Sequence, residues 1–332
     1  MAREIGQIPA LAGQLVGRRR EIAAIAGRIG AARPRFAILC GRGSSGHAGV
    51  YLHYLVETRL GMVAAHASPS VWSAYRCRPA MDCALFVVIS QSGRSPDLVA
   101  ATEAARAGGA LTLAIVNDRA SPAAAASELV LPIGAGDEQA VAATKTVVLS
   151  MIAGALVVAA AAADRALGAA LDRLPGRLEA ALCCDWSRWE ESLVQAPAAF
   201  VAGRGHALGP VREIALKMAE TLRLPALGYS AAELRHGPRA AITPATPVLV
   251  LRQDDAAAPG VDALVQALGE SGETVFAAGG PAGTLPWPGD DHPACDPVAM
   301  LVPAYRAIER AARRRGLDPD RPPHLSKVTE TL

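Results

Sequence analysis

One pattern occurs twice in this chain. FAILCGRG at residues 36–43 is echoed by FVAGRG at residues 200–205, with GRG returning at an offset of 162. Glu57-Thr58 is echoed by Glu220-Thr221 at an offset of 163, and ALFVVISQ at 84–91 by VLVLRQ at 248–253, again at 162. Agreement of three separate spacings predicts the duplication of one module, and no other feature limits the fold so strongly. Each copy opens with a short apolar run, then glycine, then helical spacing. Further apolar runs at 110–116 and 128–133 alternate with segments such as 96–108 that have the period of a helix. This alternation predicts an α/β fold of βαβ units, with two parallel sheets buried on both faces by helices. The expected organisation is an N-terminal helix plus first module over 1–165, a helical linker over 166–195 with Trp186 and Trp189, and a second module over 196–332.

Composition removes several classes. A chain 51% hydrophobic and 19% charged is too apolar for disorder, and a net charge of +2 gives no field suited to nucleic acid. The six cysteines have neither CxxC nor His/Cys zinc spacing, which predicts free thiols in a reducing cytoplasm and no metal. The first residues carry Glu4 and Pro9 without an apolar stretch, so no signal peptide is expected. Residues 147–163 lack charge, but 17 residues fall short of a membrane span, and a buried helix is expected instead. The N-terminal segment, from residue 5 to residue 29, reads as one amphipathic stretch leading into the first strand.

Of 33 basic residues only Lys145, Lys217 and Lys327 are lysine. On a solvated surface Arg and Lys serve almost equally well. A position that keeps Lys in such a chain therefore points to an amine that can lose its proton and attack a carbonyl.

The motifs fall where loops should follow strands. Gly41-Arg-Gly-Ser-Ser-Gly46 satisfies GxGxxG, but the acid that a dinucleotide site needs about 20 residues on is replaced by Ala64-Ala-His-Ala-Ser68. A loop for a sugar or phosphate, or a plain tight turn, stays open at this point. Ser90-Gln-Ser-Gly-Arg-Ser-Pro-Asp97 is sharper: three hydroxyls, an amide and the free N–H groups of a starting helix form a cradle for a monophosphate without metal. The second copy has Arg252-Gln-Asp-Asp255 there, a poor anion site. Gly136 to Lys145 reads as the polar start of the buried helix, able to close over a ligand. Glu213, Lys217 and Glu220 share one helix face, as surface ion pairs or as a functional cluster. His236 before Gly-Pro is held in a turn, and the proline-led tail through His324 and Lys327 reads as one that docks. A phosphate anchor, a carboxylate, a histidine and a lysine suit proton transfer and imine chemistry on a phosphorylated sugar.

Six ordered motifs, at 41–46, SQSGRS (90–95), AGDEQAVAATK (135–145), ALKMAE (215–220), ELRHGP (233–238) and LSKVTE (325–330), resemble the double SIS (sugar isomerase) domain family. Its members include the isomerase half of glutamine–fructose-6-phosphate aminotransferase and stand-alone glucosamine-6-phosphate deaminases. The resemblance implies two tandem flavodoxin-like three-layer modules, no cofactor, and a cytoplasmic homodimer in which His236 reaches a neighbouring subunit's site. It implies that Ser44, Ser45, Ser90, Gln91, Ser92 and Ser95 bind the phosphate of a small sugar, that Glu220 moves the C1/C2 proton, and that His236 opens the ring. Lys327 would form the imine, with Lys217 assisting. Ala143 stands where the family commonly has a sugar-contacting serine, and Arg94 where the synthase usually has Glu. With no glutaminase domain or nucleophilic cysteine at the start, the expected reaction is glucosamine-6-phosphate to fructose-6-phosphate plus ammonia. The alternatives are an aldose–ketose isomerase or ammonia-dependent aminotransferase-type enzyme acting on another sugar phosphate, and a non-catalytic sugar-phosphate sensor.

Overall fold

The apolar run Ala84–Ser90 is buried at every residue, so both faces of that strand carry packing and neither alternates with solvent. A computed structural model of the protein describes residues 1–327. In chain order come α1 (Ala2–Val16), α2 (Arg19–Ala32), β1 (Phe36–Cys40), α3 (Gly43–Leu60), β2 (Val63–His66), α4 (Ser70–Ser73), β3 (Ala84–Ser90), α5 (Pro96–Ala107), β4 (Leu111–Val116), α6 (Pro122–Ala126), β5 (Leu129–Pro132) and α7 (Lys145–Ala161). They are followed by α8 (Arg165–Leu182), α9 (Ser187–Val194), β6 (Ala199–Gly203), α10 (Leu208–Leu222), β7 (Ala226–Ser230), α11 (Ala231–Arg235), β8 (Val248–Leu251), α12 (Ala258–Glu270), β9 (Val275–Ala278) and α13 (Asp296–Arg314).

The strands make two wholly parallel sheets, ordered β2-β1-β3-β4-β5 and β7-β6-β8-β9. The duplicated sequence pattern thus appears as duplicated topology: β6 and β8 take the places of β1 and β3. The chain divides into two compact units. One holds the five-stranded sheet with residues 10–138, 145–172 and 326–327; the other holds the four-stranded sheet with residues 1–9, 139–144 and 173–325.

In the five-stranded unit Phe86, Val88, Ala114, Val116, Leu98 and Ala101 form one core between β3, β4 and α5. On the sheet's other side α7 packs against α2 and α3. Every residue of α7 from Lys145 to Ala159 is buried, which accounts for a helix apolar all round. Gly154 permits this packing, since a Cβ there would come within 3.0 Å of Leu52. Among the described residues no helix is long and apolar enough to cross a membrane. In the other unit Phe200, Val248, Val250, Val261 and Leu264 play the same part between β6, β8 and α12.

Two expectations change. The N-terminal amphipathic segment is two helices broken at Gly17-Arg18. Arg18 leaves helical geometry (φ −83°, ψ 38°) and commits its guanidinium to the Pro132 carbonyl and, at 3.2 Å, to Glu21. The helix expected from Gly136 starts only at Lys145. Gly134 and Gly136 take φ of +70° and +62°, and Asn117 bonds both the Ala135 amide (2.9 Å) and the Gly136 carbonyl (2.8 Å), holding this stretch as a loop.

A buried carboxylate in the four-stranded unit makes stability depend on pH. Asp296, in the first turn of α13, pairs with Arg177 at 2.8 Å and accepts the amides of Asp291 (3.2 Å) and His292 (3.3 Å). Burial outweighs these partners and pushes its carboxyl up from 3.8 to about 6. The folded state therefore holds this proton more tightly than the unfolded one. The resulting stabilisation is complete below about pH 4 and is lost as pH rises through 6. Asp296→Asn, which cannot ionise, should lose less stability than the parent between pH 4 and 7. Urea denaturation would show the difference, at most about 3 kcal/mol.

Candidate active site

In a parallel sheet every strand's carboxyl end lies on one edge, and ligands bind where the strand order reverses. In the five-stranded sheet that point lies between β1 and β3, which are paired in register from Phe36↔Ala84 to Cys40↔Val88. The loops that leave their ends are the two serine-bearing motifs, and each leads into a helix N-terminus, that of α3 or α5. Gly41 makes the first turn possible, because a Cβ there would meet the Ser45 backbone at 2.8 Å. Arg42 ties the loops together: its Nε and Nη2 reach Asp97 Oδ2 at 2.8 and 2.5 Å, and Asp97 is buried. The same burial, with Asp97 adding to it, pushes the Cys40 thiol up to about 12, so this cysteine stays a neutral packing group.

The loop after β3 is organised by its own serines. Ser90 Oγ accepts the Gly93 amide at 3.1 Å, and Ser92 Oγ accepts the Arg94 amide at 3.3 Å. A hydroxyl that accepts from the backbone still has its proton to donate, which is what an anion needs. Ser95 stands at the N-cap position of α5 without using its hydroxyl as the cap. Gly93 takes φ +63°, and a Cβ there would overlap Ser121. Arg94 turns away to Asp118 at 3.1 Å.

The corresponding loops of the four-stranded unit close on themselves. Gln253 donates to the Arg204 carbonyl (2.7 Å) and Asp255 (3.0 Å), and Arg252 pairs with Asp254 (2.9 Å) and Asp262 (3.1 Å). The polar side chains of these loops thus satisfy one another.

Also in that unit, α10 turns the triplet Glu213, Lys217 and Glu220 inward. The surface ion-pair reading does not hold: the side chains of Lys217 and Glu213 are 0% exposed and that of Glu220 is 20% exposed. Lys217 Nζ lies 3.5 Å from Glu213 Oε1 and bonds Glu220 Oε2, while Tyr305 of α13 donates to Glu213 Oε1 at 3.3 Å. The buried end of the chain of charges is anchored by Tyr305, and its partly exposed end is the Glu220 carboxylate. His236 follows α11, exposed, with Gly237 at φ +147° behind it. Ala143 is partly buried in a stretch that Glu4 and Asp320 tie down. Glu4 accepts the Gln139 and Ala140 amides, and the Asp320 carbonyl accepts the Val141 amide at 3.1 Å.

Lys327 belongs to the five-stranded unit, as the serine loops do. Its Nζ lies 2.8 Å from Glu138 Oε2, and its side chain is 25% exposed. Val328, Thr329 and Glu330 of the last motif lie outside the described residues. Lys145 is buried and donates to the Asp137 carbonyl at 2.6 Å, ordering its own loop. No group of three or more His, Cys, Asp or Glu suited to a metal occurs among the described residues.

The structure thus groups the six serine and glutamine residues and Lys327 in one unit, and Lys217, Glu220, His236 and Ala143 in the other. Sequence reasoning passed over Arg42, Glu138 and Tyr305. Arg42 and Glu138 lay inside motifs already singled out; nothing local marked Tyr305, 92 residues from Glu213.

A twice-used parallel α/β module, with serine-bearing loops in one copy and a buried acid–lysine face in the other, defines the class to which this chain belongs as a double-module α/β protein. The SIS domain family matches residues 32–160 and 192–285, and the chain belongs to it. The isomerizing glutamine–fructose-6-phosphate aminotransferase of Methanothermobacter thermautotrophicus is 31% identical over 98% of this chain and 56% of its own length. That of Treponema pallidum is 32% identical over 86% and 50%. The chain thus spans about half the length of the curated relatives it matches, corresponding to their isomerase half. Among solved structures, a candidate phosphosugar isomerase of Silicibacter pomeroyi superposes with a TM-score of 0.92 at 40% identity, over 96% of this chain and 98% of that one.

Two predictions follow from this geometry. Glu213→Gln leaves Lys217 buried with half its compensation and should cost about 3–5 kcal/mol in urea denaturation, whereas Glu213→Leu with Lys217→Met should restore most of that loss. Gly93→Ala should weaken binding of a sugar phosphate by at least about tenfold in calorimetry, because the loop must abandon its turn to admit the methyl group.

Proposed function

We propose that this chain is a sugar-phosphate isomerase of the SIS type that converts glucosamine-6-phosphate and water to fructose-6-phosphate and ammonia. The observation that carries the nitrogen half of this reading is Lys327, a partly exposed amine in the same compact unit as the serine cradle. Aldose–ketose isomerisation alone needs only proton transfer. An amine that can take the ketose as an imine gives a route for exchanging nitrogen at C2. Likeness to the isomerizing aminotransferases supports the amino-sugar substrate.

In this reading Ser44, Ser45, Ser90, Gln91, Ser92 and Ser95 hold the phosphate, with the dipoles of α3 and α5 adding to hydroxyl and amide donors. His236 moves a proton between O5 and O1, which opens the ring. Its exposure on a glycine-backed turn suits delivery to the site of a second copy in a homodimer. The Glu220 carboxylate takes the C2 proton and returns it to C1, turning the C2 amine into an imine. Lys217, held by Glu213, fixes that carboxylate's position. Lys327 displaces ammonia by transimination, and water then releases fructose-6-phosphate. At Ala143 the sugar loses one hydroxyl contact.

Ammonia release from glucosamine-6-phosphate, followed with a coupled assay, tests the proposal. Lys327→Arg keeps the charge but removes imine chemistry, and Glu220→Gln removes the proton carrier. Each should lower turnover by about 10²–10⁴-fold with the fold intact by circular dichroism. Folded protein that interconverts aldose and ketose phosphates but frees no ammonia would overturn the deaminase reading, as would Lys327→Arg at full activity.

A further inference from the structure

The carboxylate facing Lys327 has no part in the scheme above, yet its setting is unusual. Glu138 is the fourth residue of the AGDEQAVAATK stretch, and its side chain is 0% exposed. Thr146 grips both oxygens: its amide donates to Oε1 at 3.2 Å and its hydroxyl to Oε2 at 2.8 Å. Oε2 also accepts Lys327 Nζ at 2.8 Å. A carboxylate withdrawn from water is costly unless it is charge-paired, and this one is aimed at the nitrogen of a lysine a quarter open to its surroundings. It cannot swing away without giving up the bonds to Thr146. The other charged groups on the loop and helix start are Asp137 and Lys145, the latter bonding the Asp137 carbonyl at 2.6 Å; Thr146 and Ser150 on α7 are neutral.

We infer that Glu138 is the proton acceptor and counter-ion of Lys327 in imine formation, an inference that rests on the imine reading above. A lysine ammonium and a ketone carbonyl give an iminium ion and one water, so charge and atoms balance without another reactant. The difficulty is kinetic, because an ammonium has no lone pair to attack with. Glu138 Oε2 takes one proton from Nζ, and the freed lone pair forms the bond to C2. The stored proton then goes to the C2 hydroxyl of the carbinolamine, which leaves as water as the C2=N bond forms. The positive charge returns to the nitrogen it started on, again 2.8 Å from the same oxygen if neither partner moves. The carboxylate thereby keeps the imine protonated, the form that draws electrons from the neighbouring carbons and that borohydride reduces. A buried, doubly gripped carboxylate suits this task because it needs no reorganisation as the charge moves.

Borohydride trapping with fructose-6-phosphate, read by mass spectrometry of the peptide carrying Lys327, tests the inference on the full chain. Wild type should be labelled across neutral pH. In Glu138→Gln, which keeps an oxygen for the Thr146 amide, labelling at pH 7 should fall at least tenfold. The pH above which labelling is lost should move lower, because an iminium without a counter-ion gives up its proton sooner. Glu138→Asp keeps the charge but withdraws it from Nζ, and should fall between the two. Thr146→Val, which weakens the grip on Oε2 but leaves the ion pair, should stay within threefold of wild type. If Glu138→Gln is not folded, Glu138→Asp decides alone: labelling at the wild-type rate and pH limb overturns the inference. The same result in folded Glu138→Gln also overturns it and leaves Glu138 as an anchor for α7. Absence of labelling in wild type defeats the imine reading itself, and this inference with it. Wild-type labelling with unchanged variants defeats the inference alone.

Discussion

A parallel sheet cannot return along itself, so every strand must be followed by a helix that carries the chain back. Where successive helices leave on opposite faces, the loops part and open a crevice at the strands' carboxyl ends. In the five-stranded sheet this occurs between β1 and β3, and the serine loops occupy that point. Two helix N-termini face the crevice by construction, a backbone geometry that generally favours anions before any side chain is chosen. The side chains then refine it. Arg42 and Asp97 lock the loops together, Ser90 and Ser92 spend their acceptor capacity on the backbone, and Gly93 makes the turn that lets them do so.

The same architecture recurs in the four-stranded sheet, but Gln253, Asp255 and Arg252 satisfy one another there. Duplication supplied two crevices and a few substitutions closed one. The closed copy carries instead the buried face of α10, where the charges of Glu213 and Lys217 are held out of water by each other and by Tyr305. Such a cluster contributes little net stability, since desolvation offsets much of its attraction. What it provides is position: the buried Lys217 ammonium holds the Glu220 carboxylate, which is one-fifth exposed. Glu138 and Lys327 repeat the arrangement in the other unit, with a fully buried acid and a reachable base.

Much of this could be read along the chain. The nine strands of the described residues include every apolar run singled out in the sequence, and the uncharged stretch at 147–163 is the buried α7. The reasons lie in short-range physics: a strand buried on both faces must be apolar throughout, and a helix buried all round must be too. The fold departs from the local pattern where a distant partner overrules it. Residues 136–144 look like the start of a helix, but Asn117 claims their first backbone groups. The face of α10 looks like surface ion pairing until α13 is laid against it. The lysine count pointed to Lys145, Lys217 and Lys327, yet only the fold separates their settings: Lys145 bonds its own loop, Lys217 is sealed among acids, and Lys327 is a quarter exposed.

The sequence by itself determined the doubled α/β modules, the places where loops follow strands, and the residue types gathered in each motif. These depend on periodicity, turn chemistry and composition, all local in the chain. Tertiary structure alone decided which charges are buried and what each one faces: Glu213 with Tyr305, Arg42 with Asp97, Glu138 with Lys327. Partners 55 to 189 residues apart share no local pattern. Their energies depend on exclusion from water, which exists only once the chain has folded.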